Sequence, residues 1–244
     1  RRQRMTLQPA FLKRRLDPFA PIMAEAAAMV VERLKHPQKP EIMSVMSDAT
    51  FAVIERVLFS DVEGFDRGEV RLAIEVLLEE IGRMRLSDLA PVPEWMPRPM
   101  TARAAKARKV FRTAVEGQIA RRRAASDPGN DLLGLLLTVR DEETGKGLSD
   151  TDIRDSVMTF VAAGHETPGI ALTWALYLLA NQPEAQVRLR EEAKAVLGGG
   201  PATAEHVGQL YFTRQVLEEA MRLYPPAPMV ARRAVRATEI CGRP

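Results

Sequence analysis

Cysteine is almost absent from this sequence, since Cys241 is the only one among 244 residues. A lone cysteine excludes a framework of disulfides and suits a reducing compartment, so we expect a cytoplasmic protein. No run of about eighteen apolar residues is free of charge, and the sequence therefore contains no candidate membrane-spanning helix. The formal net charge of +3 is too small to indicate nucleic-acid binding. These absences leave a globular protein with a large core as the expected class.

Apolar residues at helical spacing fill most of the chain. The pattern predicts helices over 17–35, 42–59, 69–85, 100–125, 131–139, 150–179, 183–197 and 209–224. Residues 229–240 alternate between apolar and polar, as in a strand. The predicted fold class is therefore mostly α, with a short β segment at the C-terminal end.

The helix predicted over 150–179 contains an unusual segment, Ala163-Gly164-His165-Glu166-Thr167, followed by Pro168. Glycine and proline weaken a helix, and an acid and a hydroxyl are unfavourable inside an apolar one. The segment alone allows two interpretations, a kinked core helix with a satisfied carboxylate or a functional site, because functional sites tend to break local rules.

A second motif ends the last predicted helix. Glu219 and Arg222 stand three residues apart, so they share a helix face and can pair. Pro225 and Pro226 then stop the helix and force an extended exit. Such a pair alone is weak evidence, because surface helices contain many, but the two motifs in this order and spacing are a specific combination.

Together the two motifs resemble those of the cytochrome P450 family, the haem-thiolate monooxygenases. Residues 163–167 are similar to its oxygen-activating motif, and Glu219-Ala220-Met221-Arg222 to its Glu-x-x-Arg motif, followed by Leu223-Tyr224-Pro225-Pro226. The resemblance runs from Arg1 to Gly242 and implies that residues 1–244 are a partial P450 domain. It also implies haem b as cofactor and insertion of one atom of O2 into an apolar small molecule such as a fatty acid, terpenoid or aromatic.

The resemblance implies catalytic roles for Glu166 and Thr167. Thr167 is expected to order a water near the iron, and Glu166 to relay protons from solvent as a partly buried carboxylate. Gly164, beside Ala163, is expected to leave the haem face open, since a larger side chain would fill the oxygen pocket.

Further roles follow from the same resemblance. Arginine suits the two haem propionates because it can donate two parallel hydrogen bonds, and Arg4 and Arg232 occupy the matching positions, with Arg233 as an alternative to Arg232. Glu219 and Arg222 are expected to be scaffold residues that support haem incorporation. The substrate pocket is expected to be bordered by Ala162, Ala163, Met229 and Val230.

One part of the family pattern does not occur in this sequence, the loop whose cysteine thiolate binds the iron. Cys241 has the context of a small buried apolar residue, so no metal ligand is predicted here. We therefore expect the chain to be an internal piece of a longer protein and inactive alone.

Partner predictions are broader. The intact enzyme needs an electron donor, a ferredoxin or flavodoxin or a reductase, and Arg1, Arg2, Arg14 and Arg15 either dock an acidic donor or form a solvated basic face. His165 lacks a second histidine four residues on, so a zinc protease site is not predicted, and a structural or surface role is favoured for His36, His165 and His206. Two hypotheses compete with the monooxygenase, a complete helical binding or scaffold protein and a helical enzyme acting on isoprenoids. The sequence contains no Asp-Asp-x-x-Asp-like run that could bind magnesium, and this argues against the isoprenoid enzyme.

Overall fold

A computed structural model describes residues 7–35, 40–60, 66–82, 101–125, 127–141, 144–229 and 239. Eight helices of more than one turn lie within these ranges. They are α1 Ala20–Leu34, α2 Ile42–Phe59, α3 Arg67–Gly82, α4 Ala102–Ala125, α5 Leu132–Thr138, α6 Asp150–Ala180, α7 Pro183–Leu197 and α8 Tyr211–Leu223. A one-turn helix, Lys13–Leu16, and the 3-10 turns Gln8–Phe11 and Asp17–Phe19 precede α1. Within the described ranges, the β pairing is one isolated bridge between Arg140 and Gly147.

The mostly α prediction is confirmed, and local signals explain where the helices end. Helix α7 has proline at its first position and stops at Gly198, whose φ of 58° lies in the left-handed region that glycine adopts without strain. Helix α8 ends at Leu223, just before Pro225 and Pro226. The predicted strand 229–240 lies outside the described residues apart from Met229 and Glu239.

Helix α6 is the longest helix and organises the fold. A capping box starts it, because the Ser149 hydroxyl accepts the Asp152 N–H while the Asp152 carboxylate accepts the Ser149 N–H. Its residues Ile153, Val157 and Val161 recur every four positions, are buried, and belong to the main apolar core. One side of α6 is therefore committed to the core, where it packs against α2.

No helix in the described part of the chain is both long and apolar enough to span a bilayer.

A buried ion pair ties three helix ends together. Arg122, near the end of α4, donates two hydrogen bonds of 2.5 Å to the Asp131 carboxylate and one of 3.1 Å to the Phe59 carbonyl. Asp131 also accepts hydrogen bonds from the Ser60 hydroxyl at 2.7 Å and from the Gly134 N–H at 2.9 Å. Asp131 is thus at once the cap of α5, the partner of α4 and the anchor of the end of α2.

Candidate functional site

The motif 163–167 divides α6 into two faces. Ala163 and Glu166 are exposed and Thr167 is half-buried, whereas His165 and Gly169 are buried on the other side. The division follows from helix geometry, in which positions three and four apart share a face. The predicted catalytic residues therefore lie together on the open side of α6, away from the side that packs on α2.

The glycines of this segment explain how closely α2 and α6 approach. A Cβ atom added at Gly164 would lie 3.1 Å from Cδ1 of Ile54, and one at Gly169 would lie 3.3 Å from Oγ of Ser47. Both neighbours belong to α2. We expected Gly164 to keep the haem face open, which stays a prediction, and the structure adds that its missing side chain would point towards Ile54, so this glycine also allows a close contact between the two helices.

Hydrogen bonding fixes the Thr167 hydroxyl. Its Oγ1 donates to the Ala163 carbonyl at 2.5 Å, so the single hydroxyl proton is used within the helix. The oxygen lone pairs remain available to accept a hydrogen bond from the open side. Thr159, two turns earlier, has the same arrangement, with Oγ1 donating to the Asp155 carbonyl at 2.8 Å.

The exposure of the Glu166 side chain bears on its predicted role as a proton relay. We predicted a partly buried carboxylate, and within the described residues the Glu166 side chain is exposed. Its position on α6 points it away from the core face that buries His165. Its role as a proton relay stays a prediction.

His165 is a core residue of the α2–α6 contact. Its ring meets Phe51 edge to face, with centroids 5.3 Å apart, and its Nδ1 atom is buried without a hydrogen-bond partner. Burial lowers the pKa of His165 and Arg71 lowers it further, whereas the carboxylates of Glu166, Glu75 and Asp48 oppose the shift. A cluster of three or more His, Cys, Asp or Glu side chains suited to a metal ion is not found in the described ranges.

The Glu219–Arg222 pair is formed on α8. Arg222 donates two hydrogen bonds of 2.7 Å to the Glu219 carboxylate, and this holds the pKa of Glu219 below its ordinary value. The side chains are 54% and 66% exposed for Glu219 and Arg222, so the pair lies on the surface of the described residues. An exposed pair of this kind contributes little to stability by itself.

Two contacts hold α8 in place. The Glu192 carboxylate of α7 accepts hydrogen bonds from the Phe212 and Thr213 N–H groups and from the Thr213 hydroxyl, at 2.6–2.8 Å. At the other end, Tyr224 stacks on Trp174 of α6 with ring centroids 3.9 Å apart. Glu192 thus caps α8 from a neighbouring helix, and α8 has a fixed position relative to α6.

A cleft of about 530 Å³ lies beside the open face of α6. Thr159 and Phe160 form one wall, and Leu7 and Phe11 form the other. Phe11 and Phe160 meet edge to face at 5.3 Å. Polar side chains complete the lining, which also includes Gln8, Asp155 and Ser156, so the cleft has a mixed character and lies towards the N-terminal end of α6 from Ala163.

Several predicted site residues lie elsewhere. Arg4, Arg232 and Val230 are outside the described residues. Ala162 is half-buried on α6, and Met229 follows α8 with an 85% exposed side chain, so the structure does not enclose Met229 in a pocket.

Sequence reasoning missed Thr50, which the structure brings to the motif. The Thr50 hydroxyl donates to the His165 carbonyl at 2.7 Å, although the residues are 115 positions apart. A signal was present, because Ser47 and Thr50 stand three residues apart and place two small hydroxylated side chains on one side of an apolar helix. Such a stripe favours a close helix contact, but it does not say which helix is the partner.

The comparisons with known proteins agree with this geometry. A family model described as cytochrome P450 matches residues 1–244. Cyclooctat-9-en-7-ol 5-monooxygenase from Streptomyces melanosporofaciens is 32% identical over 246 residues, covering 100% of this chain and 53% of that enzyme. Pentalenene oxygenase from Streptomyces avermitilis is 30% identical over 243 residues, covering 99% of this chain and 54% of that enzyme.

A mammalian relative matches a shorter region. Taurochenodeoxycholic 6 alpha-hydroxylase from Sus scrofa is 48% identical over 103 residues, which are 42% of this chain and 20% of that enzyme. The chain spans about half the length of the two Streptomyces relatives. Because the family model matches every residue and the helical fold agrees with it, the chain belongs to the cytochrome P450 family.

Proposed function

We propose that the protein containing this chain is a haem-dependent monooxygenase that inserts one atom of O2 into an apolar organic substrate. The observation that carries the proposal is the open face of α6, where Ala163, Glu166 and Thr167 lie together while the opposite face packs on α2. Family membership supports the same activity. The proposal concerns the whole protein, and the isolated chain of 244 residues is expected to be inactive.

The residues of the open face fit a flat, largely apolar cofactor such as haem b. Ala163 presents only a methyl group, so no long side chain projects from α6 at this turn. We assign Ala163, Gly164 and Thr167 to the cofactor-facing turn, although Gly164 itself faces Ile54. Arg4 and Arg232 remain the proposed partners of the propionates.

When bound, haem supplies the activation of O2. Thr167 Oγ1 uses its own proton on the Ala163 carbonyl, so it accepts a hydrogen bond from a water on the open face and orders that water. Glu166 lies one residue earlier and is exposed, so its carboxyl group takes up protons from solvent and passes them to the ordered water. Thr167 thus fixes the delivery point, and Glu166 supplies the protons.

The Glu219–Arg222 pair is proposed to be a scaffold. The two-fold hydrogen bond holds the Arg222 guanidinium in one orientation, and Glu192 and Tyr224 hold the helix that carries the pair. Its exposure in the described residues leaves both side chains able to contact a further segment. We propose that this contact supports haem incorporation.

The substrate is proposed to have a mostly hydrocarbon skeleton. The names of the Streptomyces relatives point to an alkenol and an alkene as the molecules they oxidise. Two electrons must come from a donor, a ferredoxin or flavodoxin or a reductase. Arg14 and Arg15, exposed on the helix Lys13–Leu16, are available to an acidic donor, and a solvated basic face is the alternative. A cytoplasmic location suits these partners.

Replacing Thr167 by alanine tests the proposed chemistry in the haem-loaded protein. We expect a larger share of the electrons to appear as hydrogen peroxide, because the water that delivers protons loses its fixed position. The measurement compares electrons consumed, peroxide released and product formed, with pentalenene as the probe substrate. Thr159→Ala is the matched control, since Thr159 is exposed on the same helix and donates to its own helix in the same way.

Equal coupling in Thr167→Ala and Thr159→Ala would overturn the role of Thr167. The competing hypothesis of a helical scaffold protein makes a different prediction. It requires that the protein bind no haem and that Glu219→Ala leave its properties unchanged. Haem uptake that is lost in Glu219→Ala would exclude the scaffold hypothesis.

A further inference from the structure

Helix α6 has an irregular hydrogen-bond pattern at its functional turn. The Ala163 carbonyl accepts the Thr167 hydroxyl, at 2.5 Å. The Gly164 carbonyl loses its usual helical donor, because residue 168 is proline and has no N–H. The next carbonyl, that of His165, accepts the hydroxyl of Thr50 from another helix, at 2.7 Å. Three consecutive carbonyls therefore depend on something other than the regular ladder alone.

Thr50 is placed to act only through this backbone contact. Its side chain is buried, with 9% of the residue exposed. It lies on the face of α2 that packs against α6, so it reaches α6 from the side away from Ala163 and Glu166. Its hydroxyl is also 3.0 Å from the Met46 carbonyl and 3.1 Å from the Ser47 carbonyl of its own helix. One hydroxyl has one proton, so these carbonyls compete, and the His165 carbonyl has the shortest distance.

The surroundings reinforce the contact at the same turn. Phe51, the next residue on α2, packs edge to face on the His165 ring. Gly164 and Gly169 bring the helices close enough for a side chain as short as threonine to reach across. The register of α2 against α6 is thus set within one turn of Glu166 and Thr167.

We propose that Thr50 is a positioning residue, whose hydrogen bond to the His165 carbonyl fixes the proline-weakened turn and thereby the direction of Glu166 and Thr167. The inference rests on the proposed function, because it gives that turn its purpose. Loss of the Thr50 hydroxyl lets the turn open and moves the Glu166 and Thr167 side chains relative to the proposed cofactor. The effect is transmitted by the backbone, since the hydrogen bonds of the Thr50 hydroxyl go to backbone carbonyls.

The first test follows the backbone of the intact protein and does not depend on turnover. Amide hydrogen exchange is measured over residues 164–172 in the wild type, Thr50→Val and Thr50→Ser. Valine keeps the size of threonine without the hydroxyl, and we expect exchange at the turn to rise by about tenfold, the effect of losing one buried hydrogen bond. Serine keeps the hydroxyl and should restore slow exchange. Thr159→Val, whose hydroxyl serves only its own helix, is the control and should leave the turn unchanged.

The second test measures coupling in the haem-loaded protein. Thr50→Val should raise peroxide release per electron and Thr50→Ser should restore it, whereas a general loss of folded protein would lower total turnover without changing this ratio. Unchanged exchange in Thr50→Val overturns the proposal, whatever the enzyme does. Faster exchange with unchanged coupling also overturns it, provided that Thr167→Ala does uncouple. If Thr167→Ala fails to uncouple, the proposed function of Thr167 falls, and the exchange experiment still decides whether Thr50 holds the turn.

Discussion

Replacement of Asp131 by alanine has an effect that can be worked out from the structure. The Asp131 side chain is 1% exposed and that of Arg122 is 10% exposed, so the variant leaves a guanidinium buried without its counter-charge. Breaking a buried pair by removing one partner costs about 3–5 kcal/mol. The variant also removes the cap that accepts the Gly134 N–H, which adds about 1 kcal/mol.

The expected loss is therefore about 4–6 kcal/mol in the free energy of unfolding. For a chain of this size each kcal/mol shifts the Tm by about 2–4 °C, so we expect a fall of roughly 10–20 °C. Urea titration followed by helical circular dichroism measures the free energy, and a thermal scan measures the Tm. Because three helix ends meet at Asp131, the loss should appear as one cooperative transition at lower urea.

Two further variants test whether the buried Arg122–Asp131 pair is the cause of this loss. Glu116→Ala removes a partly exposed carboxylate that pairs with Arg112 of α4 and Arg154 of α6, and it should cost about 1 kcal/mol. The double variant Arg122→Met with Asp131→Leu removes both buried charges and should be less destabilised than Asp131→Ala. If Asp131→Ala costs no more than Glu116→Ala, the network does not have the role that we assign to it.

The remaining predictions concern the core of α6 and two glycines. Burial lowers the pKa of His165 below its ordinary value of 6.5, so the unfolded chain binds a proton at this ring more readily than the folded chain. The neutral, buried ring therefore contributes its whole share of the folding free energy above about pH 6.5, and this share is lost as the pH falls below that value. His165→Phe should flatten that part of the stability curve, and an unchanged curve would contradict the assignment. Gly117→Ala should stabilise the chain by about 0.5–1 kcal/mol, because an added Cβ meets nothing within 4 Å. Gly134→Ala should destabilise it strongly in the same urea titration, since the added Cβ would lie 2.2 Å from the Gly129 carbonyl oxygen, and equal effects of the two would refute the argument.

Local features were predictable from the sequence because their causes lie within a few residues. The bounds of α2 and α7 agree with the prediction, since apolar spacing, Pro183 and Gly198 fix them. The pairing of Glu219 with Arg222 follows from their spacing in one helix. The face shared by Ala163 and Thr167 follows from the same geometry.

Features that depend on packing between distant segments were not predictable in this way. Thr50 and His165 meet across 115 positions, and Ser60 and Asp131 across 71. The exposure of Glu166 depends on which side of α6 faces α2, and Gly164 helps to decide that side. A sequence pattern identifies a helix face that must be covered, but it does not name the covering residue.

We propose that the Ala163 side of α6 faces haem b in the intact protein. The most direct measurement is the carbon monoxide difference spectrum of the reduced, haem-loaded intact protein, recorded for the wild type, Ala163→Phe and Ala180→Phe. We expect the Soret band of a thiolate-bound haem in the wild type and a large loss of carbon monoxide binding in Ala163→Phe. We expect no loss in Ala180→Phe, because Ala180 lies exposed at the far end of α6. A wild-type spectrum without the thiolate band, or equal carbon monoxide binding in the two variants, would contradict this proposal.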